Sequence, residues 1–142
     1  MDSELMRRRL ARARIGHLAT AGASGRPHLV PVCFTLDGES IHWAVDFKPK
    51  SGPDLKRLRN LAENPRAALL VHHYEEDWTR LWWIRVDLSD AAVADGAAAG
   101  RGLDLLAAKY EQYRLRRPAG PVVQMSIEHW SGWAAGPSGE RD

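Results

Sequence analysis

The pattern that most restricts this chain lies in residues 28–45. Val30, Val32, Phe34 and Leu36 alternate with Leu29, Pro31, Cys33 and Thr35, so residues 28–36 read as a strand of period two, apolar on both faces for much of its length. Asp37-Gly38 is a strong hairpin turn, and residues 40–45 return as the partner strand. Pro31 has no N–H to give to a ladder, so this strand needs a sheet edge, a bulge or a gap at that point.

The rest of the chain extends the same theme. Residues 15–20, 67–74, 81–88 and 122–127 read as further strands, with residues 75–79 a polar loop. Ser3 can cap a short first helix carrying Leu5, Met6 and Leu10, with Gly16 near its end and its arginines on a solvated face. A second helix starts at Pro53 or Asp54, runs through Leu55, Leu58 and Leu61, and stops at Asn64-Pro65. Residues 91–102, rich in alanine and glycine, form a pliable lead into a third helix near residues 103–113. Hairpin-joined strands with a few short helices imply a mainly β fold: an antiparallel sheet of six to seven strands rolled into a small barrel. Side chains fill so small a barrel, so a cofactor belongs outside it or at a subunit seam. With 142 residues the chain is expected to form one domain over residues 1–135 and a loose tail over residues 136–142.

Charge is informative by its placement. The formal net charge is only +2, yet arginines crowd the start, Lys48, Lys50, Lys56, Arg57 and Arg59 crowd the middle, and Arg114, Arg116 and Arg117 come late. Such patches suit a small polyanionic ligand better than a long nucleic acid. Six tryptophans also permit single-strand stacking, but the modest net charge and the tie between basic loop and helix argue against nucleic acid as a partner. The single cysteine allows no intrachain disulfide, and no stretch is apolar enough for a signal peptide or a membrane span, so a cytoplasmic protein without membrane partners is expected.

The loop Lys48-Pro49-Lys50-Ser51 concentrates the chemistry. Two ammonium groups flank a proline, a hydroxyl donor follows, and a helix N-terminus lies just beyond with Lys56 and Arg57 in its first turns. These are the parts of a phosphate site, although a solvated charged loop has the same composition. Six histidines form no zinc-ligand spacing, and adjacent His72 and His73 point to opposite faces of a strand, so no metal site is expected. Cys33 has no helper base beside it in sequence and reads as a small core residue. No catalytic acid or base can be nominated.

Taken in order, Arg26-Pro27-His28-Leu29-Val30-Pro31-Val32, then Ile41-His42-Trp43-Ala44-Val45-Asp46, the Lys48-Pro49-Lys50-Ser51 loop, Leu58-Arg59-Asn60-Leu61 and Asn64-Pro65-Arg66 resemble the pyridoxamine 5′-phosphate oxidase-like split β-barrel family. The runs His73-Tyr74-Glu75-Glu76-Asp77-Trp78, Leu81-Trp82-Trp83-Ile84-Arg85-Val86-Asp87 and Trp130-Ser131-Gly132-Trp133 resemble its deazaflavin (coenzyme F420)-dependent branch. Asp87-Leu88 stands where many relatives read Asp-Gly.

The resemblance implies a homodimeric oxidoreductase that binds a flavin-like ring in a groove at its interface and acts on a small organic molecule. Val30, Pro31 and Val32 would lie along the ring, with Val45 and Asp46 near the ribityl chain. Lys48, Lys50 and Ser51 would hold the phosphate, supported by Lys56 or Arg57. His72 and Trp83, with Trp78 or Trp130 of the neighbouring subunit, would close over the ring. Coenzyme F420 is the expected cofactor and FMN the alternative. A non-catalytic carrier of either, or a haem binder, would use the same fold.

Overall fold

The computed structural model describes residues 1–46 and 55–136. The elements are helix α1 (Ser3–Arg12), strands β1 (Gly16–Ala21), β2 (Pro27–Val32), β3 (Thr35–Asp37) and β4 (Ser40–Ala44), helix α2 (Lys56–Glu63), strands β5 (Ala67–His73) and β6 (Trp82–Val93), helices α3 (Gly96–Lys109) and α4 (Glu111–Leu115), and strand β7 (Val122–Ala134). The strands form one sheet of seven in the order β2-β1-β5-β6-β7-β4-β3, antiparallel at every pairing. The expected mainly β, antiparallel barrel with a few short helices is thus the fold found.

The sequence reading of residues 28–36 as one strand needs correction. β2 ends at Val32 and β3 begins at Thr35, and the two occupy opposite edges of the sheet. A flat sheet of seven strands would hold its edges about 29 Å apart, six spacings of about 4.8 Å. Cys33 and Phe34 can carry the chain only about 11 Å, three Cα–Cα steps of 3.8 Å. The sheet must therefore curl until its edges meet at this corner, which makes a barrel closed by the chain rather than by a hydrogen-bonded ladder. Period two runs unbroken through the corner because both strands face the same interior. Pro31 sits in an edge strand paired only to β1, opposite His17, as its missing N–H requires.

Other boundaries moved for local reasons. Asp2, not Ser3, caps α1, its Oδ1 accepting from Leu5 N at 2.8 Å. Gly16 opens β1 instead of closing the helix. β6 continues to Val93 through irregularities at Asp87/Leu88 and Ser89/Ala92, where Asp90 takes a φ of +53°. Such bulges bend a long strand round a barrel without ending it. Leu88, where many relatives read glycine, is a fully buried strand residue at the first irregularity. β7 likewise runs on to Ala134, and α3 begins at Gly96, inside the stretch expected to be pliable. The β3–β4 hairpin keeps the expected turn, with Gly38 at φ +60° in a two-residue loop.

The interior is filled by Leu10, Phe34, Ile41, Trp43, Ile84, Leu88 and Met125, among others. α1 plugs one end through Met6 and Leu10. α3 lies outside, where Leu106 and Tyr110 pack on Ala44 and Val122. It comes so close that a Cβ on Gly102 would stand 3.0 Å from Val122 and 3.3 Å from the buried His42 ring. The end of α3 braces the corner: Phe34 N donates to Tyr110 Oη at 3.1 Å, Tyr110 Oη donates to Arg14 O at 2.9 Å, and Lys109 Nζ donates to Phe34 O at 2.9 Å. Replacing Tyr110 by Phe leaves the buried Phe34 N–H unpaired. We expect a loss of about 1–3 kcal/mol in urea unfolding with the fold retained.

Candidate functional site at the barrel corner

The corner leaves a cavity of about 190 Å³ walled by Pro31, Val32, Cys33, Asp46, Arg57 and Tyr113. Four elements meet there: the end of β2, the end of β4, the start of α2, and α4. Asp46 is exposed at the rim, and Tyr113 Oη donates to its Oδ1 at 2.5 Å. Burial, followed by that bond and the charge on Asp46, pushes the Tyr113 phenol far up, so it stays a donor at any ordinary pH.

Arg57 is half-buried, its guanidinium carbon 5.3 Å from the centre of the Trp43 ring. Its Nε is buried and has no hydrogen-bond partner among the described residues. Burial pulls its pKa down, while Asp46 and Tyr113 oppose that shift. A buried N–H on a cation is costly to leave unpaired, so the arrangement favours an acceptor arriving from outside. Lys56 is exposed at the N-terminus of α2, whose N-cap Leu55 offers no side-chain acceptor. Burial and then the charge on Asp46 raise the Cys33 thiol, which is half-buried in the cavity wall and not in the core its sequence context suggests.

The other expected site residues divide into two groups. Val30 is half-buried against the core, and Val32 is buried with its side chain in the cavity wall. Val45 is fully buried, its N–H bonded to Pro121 O and its C=O to Gly120 N, so it positions Asp46 and presents no surface. His72 and Trp83 lie on the outer face of the sheet, in a broad hollow of about 690 Å³ with Leu29, Leu70, Tyr74 and Arg85. His72 stacks on His17 at 5.5 Å, and its neighbour His73 stacks instead on Trp82 at 6.5 Å. Trp78 is 75% exposed on a short 3-10 turn, Trp78–Arg80, and Trp130 Nε1 donates to Glu39 at 3.1 Å beneath Arg7. Neither tryptophan walls the corner cavity or the outer hollow within one chain. Lys48, Lys50 and Ser51 lie outside the described residues.

Sequence reasoning missed Tyr113, which is 67 residues from Asp46 in the chain and reaches it only because α4 packs over the corner. Nor did it single out Lys109, which burial and the nearby Arg14 charge lower to about 8. Of the late arginines, Arg114 caps the last carbonyls of α3 and Arg117 pairs with Asp104 at 2.8 Å. Among the described residues no cluster of histidine, cysteine and carboxylate side chains is arranged to hold a metal. No helix among them is long and apolar enough to cross a membrane.

A seven-stranded sheet rolled to an open corner, with a basic cavity at that corner, defines a split β-barrel. Residues 3–134 match the family model described as pyridoxamine 5′-phosphate oxidase, and the chain belongs to that family. A 5a,11a-dehydrotetracycline/5a,11a-dehydrooxytetracycline reductase from Streptomyces rimosus is 39% identical over 56 residues. That match spans 39% of this chain and 38% of the relative's length. Among solved structures, a conserved hypothetical protein from Mycobacterium tuberculosis superposes with a TM-score of 0.75 at 19% identity, covering 94% of this chain and 85% of that one. An FAD-binding protein from Mesorhizobium loti gives 0.70 at 16% identity, covering 93% and 92%. A heme storage protein from Vibrio cholerae gives 0.66 at 15% identity, covering 91% and 92%. At these identities the likeness is one of fold.

The brace at the corner has a pH signature. Native protein sheds the Lys109 proton near pH 8, whereas the unfolded chain holds it to about 10.4. The unfolded state therefore binds more protons between these values, and stability rises with pH there. The raised Cys33 thiol, and toward pH 9.5 the raised phenols of Tyr110, at about 12, and Tyr113, oppose the rise, because the unfolded chain gives up those protons first. Urea unfolding at pH 7.5, 8.5 and 9.5 should show stability rising with pH in the native sequence and falling with pH in Lys109→Met, where only the opposing thiol and phenols remain.

Proposed function

We propose that this protein is an oxidoreductase that passes a hydride between the deazaflavin coenzyme F420 and a small organic substrate, in a groove between two copies of the chain. The observation that carries the reading is Arg57: a half-buried guanidinium whose Nε has no partner among the described residues, in a cavity beside a tyrosine-anchored carboxylate. Such a site favours an anionic group carried on a larger polar body. Arg57 and Lys56 would hold the phosphate at the open start of α2, joined by Lys48, Lys50 and Ser51. Asp46, fixed by Tyr113, would accept from a ribityl hydroxyl. Pro31 and Val32 would support the ring where the edge strand has an unpaired side.

The family membership and the reductase relative support redox chemistry. When bound, a deazaflavin supplies a two-electron hydride and no stable one-electron state. The chain's tasks are then to orient the substrate, exclude water and hold the phosphate. Leu29 at 65% exposure, with Leu70, Trp83 and Tyr74 on the same outer face, gives a second copy an apolar surface to cover. His72 and Trp83 lie on that face, so pairing would draw them into the groove. Arg9 and Arg12, in the hollow that adjoins the corner and without carboxylate partners among the described residues, favour the more highly charged coenzyme. FMN is the second reading, because one phosphate needs no more than Arg57, Lys56 and the basic loop. We place the protein in the cytoplasm.

Titration of the purified protein with each cofactor, followed by tryptophan quenching, tests the reading. Coenzyme F420 is expected to bind more tightly than FMN, and Arg57→Ala to lower its affinity about tenfold to a hundredfold, as for loss of a charged hydrogen bond. Lys48→Ala with Lys50→Ala should weaken binding further. Tight binding of FMN alone would reverse the cofactor choice, and binding of neither would overturn the function.

A further inference from the structure

A hollow of about 490 Å³ lies between the last turn of α1 and the adjoining ends of β1 and β5. Its wall includes Arg9, Arg12, His17, His72, His73 and Trp82, and no aspartate or glutamate lines it among the described residues. Elsewhere the fold gives its arginines carboxylates: Arg7 pairs with Glu39, Arg101 with Asp37, and Arg117 with Asp104. Here it does not. The Arg9 guanidinium lies 4.8 Å from the Trp82 ring centre, and its NH1 reaches only the Met1 sulfur at 3.6 Å. Arg12 is exposed and has no ion-pair partner among the described residues. His17 Nδ1 is buried and has no partner among the described residues.

Complementing the negative end of the α1 dipole accounts for two arginines in its last turn. It does not account for His17 and His72, from β1 and β5, that share the same hollow. Arg9, Arg12, His17 and His72 offer forked N–H donors and ring N–H donors beside an aromatic wall, with no carboxylate partner among the described residues; only His73 is taken, its Nε2 meeting Glu75. The hollow is also continuous with its neighbours. It shares Ile15 with the corner cavity, and His17 and His72 with the outer-face hollow.

We propose that this hollow is a binding site for a ligand carboxylate, with Arg9 and Arg12 as its charged contacts and His17 and His72 as ring N–H donors. The carboxylate would extend from a molecule seated in the adjoining groove. It belongs either to the substrate or to an acidic tail on the coenzyme, an attribution that rests on the function proposed above. The anion site itself does not depend on that reading.

The test uses the full-length protein without any coenzyme, so failure here is separate from failure of the cofactor titration. Benzoate and a γ-linked triglutamate are titrated while histidine ring resonances are followed by NMR. At least one acid should bind and shift the His17 and His72 signals. Arg12→Gln should weaken that binding about tenfold, and Arg9→Gln likewise, with both variants melting as folded proteins. Binding of benzoate alone supports a substrate carboxylate, and binding of triglutamate alone supports a coenzyme tail. Binding of neither at millimolar concentration, or binding unchanged in both variants, would overturn the proposal.

Discussion

Cys33 and Phe34 carry the chain from one edge of the sheet to the other, and the rest of the structure follows from that short crossing. Two residues cannot bridge a flat sheet of seven strands, so the sheet has to roll. The roll is held at the corner by Tyr110 and Lys109, whose polar atoms take up the N–H and C=O of Phe34. Those groups are buried and outside any ladder, and they need partners from elsewhere in the chain. The end of α3 supplies them, so a helix on the outside of the barrel fixes the geometry of its closure.

The same corner gathers the candidate site. Ending β2 at Val32 and β4 at Ala44 leaves Cys33 and Asp46 beside one another, and α2 delivers Arg57 across the gap. The helices that brace the closure also deliver Tyr113 to Asp46. Stability and site are therefore coupled: the polar groups that make the barrel close stand within a few residues of those that would hold a cofactor. A guanidinium held half-buried over Trp43, with one N–H lacking a partner among the described residues, is an expense to the fold that binding of an acceptor would relieve.

Much of this was legible in the sequence. Period-two alternation, Asp37-Gly38 and the demand of Pro31 for an edge each fixed a local choice, and together they gave the antiparallel barrel. What local pattern could not show was that residues 28–36 turn a corner, because alternation continues when both strands face one interior. The bulges in β6 were invisible for a similar reason: Ser89, Asp90 and Ala91 carry no apolar rhythm, yet Ser89 pairs with Ser126 and Ala92 with Gln124 on β7, so the strand continues past them. Arg57 could be nominated from its place beside a basic loop and Asp46 from the family resemblance. Tyr113 could not, since only three-dimensional packing of α4 brings it to Asp46, and the unpartnered state of Arg9 and Arg12 depends likewise on which carboxylates the fold places elsewhere.

The central claim is that the corner of the barrel is where the cofactor docks. Hydrogen–deuterium exchange with and without saturating coenzyme F420 tests it most directly. The account predicts added protection at residues 31–34, 44–46 and 55–59, with a smaller effect along the outer face at residues 70–72 and 83–85. Protection confined to residues 91–93 and 121–123, on the far side of α2, with no change at the corner, would contradict it.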